Sequence, residues 1–141
     1  MSEEEIESGR QKIRDLAVST SDKLGPLSDI EFGFNRASVQ WVEGFIERLR
    51  QQSLPGESHS GLIGSLGSFL GECIVEATNG KWNWSTQEET WGVLFPVGAW
   101  AFPYAKVSKQ FENGVEGGDS VASFYDVTVN YVATGQLGHK S

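Results

Sequence analysis

The stretch SHSGLIGSLGSFLGECIVEATNG, residues 58–80, places the strongest constraint on how the rest of the chain can fold. Its apolar residues recur at helical spacing and predict a helix from Ser58 or Ser60 to Asn79. Glycine inside a helix costs ~1 kcal/mol relative to alanine. Because glycine has no side chain to hold a neighbour away, we expect another helix or a sheet to pack closely here. The glycines concerned are Gly61, Gly64, Gly67 and Gly71.

Two helices are predicted before this stretch. The first covers residues 3–18, begins with a capping box formed by Ser2 and Glu5, and carries only a thin apolar stripe. We therefore expect it to pack at the edge of the fold or to fray. The second helix is predicted to begin at Ser28 or Asp29 and to end at Pro55-Gly56. Its continuous apolar face would consist of Ile30, Phe34, Ala37, Trp41, Phe45 and Leu49.

After Lys81 the pattern changes to the alternation that is typical of strands. Residues 81–102 predict a short antiparallel meander of three strands, with turns at residues 86–89 and 96–98. A helix is then predicted from Pro103 to Phe111. Residues 121–132 fit either a helix or a strand, and we favour the helix because Asp119 or Ser120 can cap it.

These elements together predict an α+β fold. N-terminal helices would pack on a small three-stranded antiparallel meander, followed by C-terminal helices. We expect one domain over residues 1–141, with an N-terminal helix and linker at 1–27 and a core at 28–133. The tail at 134–141 is predicted to be disordered from Gly135.

Charge and cysteine content exclude several classes of protein. The chain has 141 residues with 11 basic and 19 acidic side chains, a formal charge of −8. That balance argues against nucleic-acid binding and against attraction to an anionic membrane surface. The single cysteine, Cys73, excludes an intrachain disulfide and a cysteine-based zinc site. The acidic start lacks the features of a signal peptide, and no stretch reaches the ~20 apolar residues of a membrane span. We therefore expect a cytoplasmic protein.

No motif for catalysis or for a cofactor is present. The glycine-rich stretch matches neither common phosphate-binding pattern, and no GxSxG nucleophile motif surrounds His59. Cys73 lies ~20 Å from His59 along the predicted helix, so they cannot form a nucleophilic pair within it. We expect a buried, unreactive thiol, and a protein that is not an enzyme and binds no cofactor or metal.

Glu72 and Glu76 lie one helical turn apart and share a side of the predicted helix. Paired carboxylates can bind a metal or transfer protons, but two like charges on a solvated helix surface are the commoner case. Glu72 follows an apolar run, so partial burial is expected. A buried carboxylate needs a partner, such as Trp82, Trp84 or a backbone N–H.

Tryptophans and acidic residues concentrate in the same part of the chain. Residues 51–103 hold five acidic residues and one basic residue, and four of the five tryptophans lie within the predicted sheet. Aromatic residues at this density form either the core or a recognition surface, and the core is the commoner case. An acidic rim around exposed aromatics would suit a basic protein partner. The candidate binding residues are Glu72, Trp82, Trp84, Glu88, Glu89 and Trp91.

Four short motifs carry a resemblance to a known group of proteins. They are LGSFLGE at 66–72, NGKW at 79–82, FP at 102–103 and VSK at 107–109. The chain resembles small bacterial domains of unknown function in which an LGxxxGE helix precedes a G-x-W strand, over about residues 28–133. The resemblance implies an α+β fold and supplies no catalytic residues. Comparable small acidic domains occur among bacterial immunity and toxin-neighbourhood proteins.

Three functions therefore compete. The leading prediction is a non-enzymatic binding protein, immunity-like in character, whose acidic and aromatic surface holds a basic partner. The alternative is a small-molecule or carbohydrate-binding module in which Trp82, Trp84 or Trp91 stacks on the ligand. An enzyme that uses Glu72 with Glu76 or His59 ranks third.

Overall fold

The computed structural model describes residues 1–54 and 57–134. Within those residues, helices pack around a three-stranded antiparallel sheet, which confirms the predicted α+β class. A short 3-10 turn, Gly25–Leu27, follows the first helix. The helices are α1 (Glu3–Leu24), α2 (Arg36–Gln52), α3 (Ser60–Ala77), α4 (Pro103–Asn113) and α5 (Val121–Thr134), and the strands are β1 (Lys81–Ser85), β2 (Thr90–Leu94) and β3 (Trp100–Ala101).

Helix α3 forms the centre of the core, and every residue from Leu66 to Ile74 is buried. A helix can be buried on all sides only when other elements surround it. The other four helices and the first two strands of the sheet all contact α3. The LGxxxGE segment therefore lies at the most enclosed part of the fold.

The glycines of α3 divide into two pairs. Gly67 lies against the ring of Tyr104 from α4, and Gly71 lies against the indole of Trp82 from β1. At these two positions the expected close approach is confirmed. The expectation is wrong for Gly61 and Gly64, which lie nearer the start of the helix. A Cβ added at either position would meet no atom within 4 Å.

Helix α1 begins with the predicted capping box. Ser2 Oγ accepts from the Glu5 backbone N–H at 3.2 Å, and Glu5 Oε1 accepts from the Ser2 N–H at 2.9 Å. The helix continues past the predicted end at Val18 and stops before Gly25-Pro26. The expectation of fraying or edge packing is wrong, because α1 lies along α3 and buries one residue on nearly every turn of its second half: Ile13, Ala17, Thr20 and Leu24.

Helix α2 begins later than predicted. Neither Ser28 nor Asp29 caps it; Asn35 does, and its side-chain oxygen accepts from the Ser38 backbone N–H at 2.9 Å. Ser38 Oγ in turn accepts from the Gly33 N–H at 2.9 Å, which fixes the non-helical segment before the helix. The helix ends at Gln52, and the predicted stop at Pro55-Gly56 lies outside the described residues.

The buried face of α2 also differs from the predicted one. Its apolar residues in the core are Val39, Val42 and Ile46, at spacings of three and four. The predicted stripe is rotated from this face, so Trp41 and Phe45 are only half-buried. They stack on each other at 5.3 Å between ring centroids and form an aromatic margin to the core.

The sheet confirms the predicted meander, in the order β1-β2-β3. Trp84 lies opposite Trp91, and Trp82 lies opposite Val93. Because side chains alternate along a strand, these four residues share one face of the sheet. That face packs toward α1 and α3, since the indole of Trp91 lies against Gly9.

The C-terminal half follows the prediction closely. Helix α4 ends at Gly114, whose positive φ of 73° favours glycine. Residues 121–132 are helical within α5, and Ser120 Oγ accepts from the Ser123 N–H at 2.9 Å at its start. The predicted disordered tail from Gly135 lies outside the described residues.

Candidate functional site

Glu72 is a buried carboxylate with both oxygens engaged. It is 3% exposed. Arg14 Nη1 of α1 donates to Oε1 at 2.6 Å, and the Trp82 indole N–H of β1 donates to Oε2 at 2.9 Å. The hydrogen bond to Glu72 is the largest cause that raises the pKa of Arg14. Glu72 thereby joins three elements of the fold.

Glu72 and Trp82 are buried and hydrogen-bonded to each other, so both contribute to the packing of α3 against β1. Trp82 is 3% exposed, because its ring fills the space above Gly71 and contacts Tyr104 at 5.6 Å between centroids. It offers no surface to a ligand. Its indole N–H supplies one of the two donors to the buried carboxylate, which makes it the one of the three predicted partners (Trp82, Trp84 or a backbone N–H) that the structure shows.

The catalytic alternative pairs Glu72 with Glu76 or with His59. Glu76 lies on the same helix face as Glu72, and Arg14 Nη1 reaches it at 3.3 Å, so one guanidinium serves both carboxylates. His59 precedes the first residue of α3, stacks on Phe111 at 4.5 Å and lies 2.9 Å from Ser53 Oγ. The structure therefore does not bring His59 together with Glu72.

Cys73 is buried, as predicted. Burial raises the pKa of its thiol, which keeps the group protonated and unreactive. Among residues 1–54 and 57–134, no group of three or more histidine, cysteine or acidic residues is arranged to hold a metal ion. In the same ranges, no helix has the length and apolarity needed to cross a membrane.

Trp91 is a predicted site residue that lies between several elements of the fold. Its indole is half-buried, with one edge against Gly9 of α1 and the Trp84 ring at 6.1 Å in an edge-to-face contact. The missing side chain at Gly9 allows α1 to lie close to the strand. Trp91 borders two separate clefts, one on the side of α1 and one on the side of α4.

The cleft on the α1 side is bordered by both acidic and basic groups. It has a volume of about 520 Å³ and is lined by Trp91 and by the first turns of α1, including Glu4, Glu5 and Lys12. Across Trp91, the turn between β1 and β2 carries Glu88 and Glu89, both exposed. We call this combined region the Trp91 surface, defined by Trp91, Glu4, Glu5, Glu88 and Glu89.

The cleft on the other side has a volume of about 660 Å³ and lies between the sheet and α4. We call it the sheet–α4 cleft. Aromatic rings from β3, α4 and α5 make up much of its lining, and three charged side chains also border it. The lining residues used below are Glu88, Trp91, Trp100, Phe102, Lys106 and Lys109.

Four acidic residues of the middle segment, residues 51–103, fall into two groups in the structure. Glu72 and Glu76 are both paired with Arg14, so they add little to an open acidic surface. Glu88 and Glu89 remain free of ion pairs within the described residues. They are joined at the Trp91 surface by acidic residues that come from the start of the chain.

Sequence reasoning missed several residues of these clefts. Glu4 and Glu5 were part of the acidic start, but nothing local places them beside a tryptophan 86 or more residues later. Trp100 and Phe102 carry a detectable signal, since their spacing of two puts both rings on one face of a strand. Lys106 and Lys109 carry a similar signal, a helical spacing of three.

Comparison of the chain with models of protein families, with curated proteins and with solved structures finds no significant match. The resemblance to small bacterial domains therefore stays a prediction. The function has to be argued from the geometry of the two clefts around Trp91.

Proposed function

We propose that this chain is a non-enzymatic binding module and that the Trp91 surface engages a basic protein partner. One observation carries the proposal. Acidic side chains from two remote segments border the clefts on either side of the half-buried Trp91: Glu4 and Glu5 of the first turn of α1 on one side, and Glu88 of the β1–β2 turn on the other. The fold thus gathers at one place the acidic and aromatic character that the sequence distributes over nearly ninety residues.

The arrangement has the chemistry of a protein-recognition surface. A large aromatic side chain that loses its remaining exposure on binding is a common source of affinity at interfaces. Acidic groups around it favour a basic partner and raise the rate of encounter at low salt. Lys12 and the Met1 amino group border the α1-side cleft beside Glu4 and Glu5, so the acidic character of the Trp91 surface depends mainly on Glu88 and Glu89.

Trp91 is also held firmly enough to act as an anchor. The neighbouring Trp84 ring and the Gly9 backbone fix its position from two sides. A side chain that is already ordered loses less conformational entropy on binding than a mobile one. Trp84 therefore supports the surface by positioning Trp91.

This proposal is compatible with the cytoplasmic location that the single cysteine favours. A basic toxin is the partner that the resemblance to small bacterial domains would suggest. Binding through Trp91 and acidic side chains requires no catalytic group and no cofactor, in keeping with the sequence-based expectation of a non-enzymatic protein.

The test is a capture experiment from the native host, with the purified chain immobilised. We expect wild type to retain a defined set of basic proteins, and Trp91→Ala and Glu4→Lys/Glu89→Lys each to lose them. Retention should weaken as ionic strength rises, because exposed charges are screened beyond about 8 Å at 0.15 M salt. Thermal unfolding of each variant checks that the fold is intact.

A charge-matched control separates local from overall electrostatics. Glu112 and Glu116 are exposed and line neither cleft, so Glu112→Lys/Glu116→Lys changes the net charge equally while leaving the Trp91 surface unaltered. The control should retain the same proteins as wild type. Equal recovery by wild type and by Trp91→Ala would contradict the proposal.

A further inference from the structure

The sheet–α4 cleft has an aromatic wall. The rings of Trp100 and Phe102 stack with 5.7 Å between centroids and 4° between planes, and both are half-buried. The Phe102 ring lies on the backbone of Gly92, where a side chain would collide with it. Trp91 borders the same cleft. Flat aromatic surfaces of this kind bind the ring of a ligand by offset or edge-to-face packing.

Opposite charges lie on different sides of this cleft. On α4, Lys106 Nζ is engaged by Asp119 at 2.9 Å, whereas Lys109 is exposed and forms no ion pair in the described parts of the chain. On the β1–β2 turn, Glu88 is likewise exposed and without an ion pair there. The cleft is therefore bordered by one cation and one anion that form no ion pair with each other in the described residues.

We propose that the sheet–α4 cleft binds a short free peptide that contains an aromatic residue. The aromatic side chain of the peptide packs on Trp100 and Phe102, its carboxylate meets Lys109 and its ammonium group meets Glu88. The cleft volume of about 660 Å³ lies within the range of small-ligand sites, ~300–1,000 Å³. This site shares Trp91 and Glu88 with the Trp91 surface, but its aromatic wall and Lys109 lie outside that surface, so it does not rest on the binding of a basic partner.

The peptide class follows from the charges and the wall together. A simple aromatic acid would satisfy Lys109 but would leave Glu88 without a cationic partner. A neutral sugar would satisfy the aromatic wall alone. A dipeptide carries one ring and two opposite terminal charges separated by about two residues, roughly 7 Å when extended. Its ring, carboxylate and ammonium group therefore match the aromatic wall, Lys109 and Glu88 in chemical kind.

The test uses glycylphenylalanine as the probe, followed by proton–nitrogen spectra of the labelled full chain. We expect the indole signals of Trp91 and Trp100 to shift on titration, while that of Trp41, on the surface of α2, stays in place. Glycylalanine, which lacks the ring, should bind at least tenfold more weakly. The N-acetyl and C-terminal amide forms of the probe should each bind about fivefold more weakly, in line with exposed ion pairs.

Two variants assign the ends of the peptide. In Lys109→Ala the probe and its amide should bind equally, since the carboxylate has lost its partner. In Glu88→Gln the probe and its N-acetyl form should bind equally. Lys81 does not line this cleft, so Lys81→Ala should still bind the probe more tightly than its amide and more tightly than its N-acetyl form. All three side chains are exposed or at the surface, so the substitutions leave the core intact.

The outcomes decide the inference in either direction. The inference is supported if the Trp91 and Trp100 signals shift, if Lys109→Ala no longer distinguishes the probe from its amide, and if Glu88→Gln no longer distinguishes the probe from its N-acetyl form. It is overturned if no cleft tryptophan signal moves, or if Lys109→Ala still distinguishes the probe from its amide. Lys109→Ala should leave capture of a basic partner unchanged, so the failure of one proposal is distinguishable from the failure of the other.

Discussion

Alanine substitutions at two glycines of α3 should change stability in opposite directions. Gly71 lies against the indole of Trp82, which is buried, so a Cβ at this position would overlap the ring. Gly64 lies on the same helix, one turn nearer its start than Gly67, and an added Cβ there would meet nothing within 4 Å. The chemical change is identical, and only the surroundings differ.

The magnitudes follow from packing and helix propensity. Overpacking of a core costs ~1–3 kcal/mol. The indole of Trp82 also donates to Glu72, so a displaced ring weakens a hydrogen bond to a charged group, worth ~1.5–3 kcal/mol. Alanine returns ~1 kcal/mol through its helix propensity. We expect Gly71→Ala to lose about 2 kcal/mol and Gly64→Ala to gain about 0.5–1 kcal/mol.

The assay is urea unfolding followed by circular dichroism, with the midpoint and slope fitted for each variant. At a slope of ~2 kcal/mol per molar urea, the midpoint of Gly71→Ala should fall by about 1 M and that of Gly64→Ala should rise by about 0.3–0.5 M. If both variants shift the midpoint in the same direction, close packing at Gly71 does not control stability, and the argument is refuted.

Three further predictions concern polar contacts. Glu72→Ala should cost about 2–3 kcal/mol in urea unfolding, because two donors lose their buried acceptor; a loss under 0.5 kcal/mol would contradict a bridging role. Hydrogen bonds from Asn113 and Lys106 lower the pKa of Asp119, so its contribution to stability is complete above the ordinary value of 3.8 and is lost as pH falls through the lower folded value. Asp119→Asn should therefore flatten the acid side of the stability curve, and an unchanged curve would count against these contacts. Ser120→Ala should cost ~1 kcal/mol of stability through loss of the α5 cap, measured by thermal unfolding, and a neutral result would show that the cap is dispensable.

Local signals were sufficient for most element boundaries and insufficient for α2. Ser28 and Asp29 are good capping residues, but the helix begins seven or more residues later, after Asn35. The reason is tertiary: Phe32 and Phe34 leave the helical path and pack on Phe69 of α3, at 5.2 and 5.4 Å between ring centroids. No local sequence pattern indicates contacts between residues that lie so far apart in the chain.

In the candidate site, too, contacts between neighbouring elements could be predicted and contacts between distant parts of the chain could not. The need of Glu72 for a partner could be predicted, with Trp82, Trp84 and a backbone N–H as the options, because the helix and the strand lie on either side of one turn. Arg14 lies 58 residues before Glu72 and could not be found in that way. Trp91 was predicted as a site residue, but the acidic side chains of α1 reach it only through the packing of α1 along α3 and the strand.

The location of partner binding is best measured by fluorine NMR of the full chain labelled with 5-fluorotryptophan. Five tryptophans give five signals, each assigned by a single substitution to phenylalanine. On addition of the basic protein recovered by capture, we expect the Trp91 signal to shift or broaden, while Trp41, which is half-buried beside Phe45 on α2, stays unchanged. A change of the Trp41 signal with no change of the Trp91 signal would place the partner on the aromatic margin of α2 and would contradict the proposed binding at Trp91.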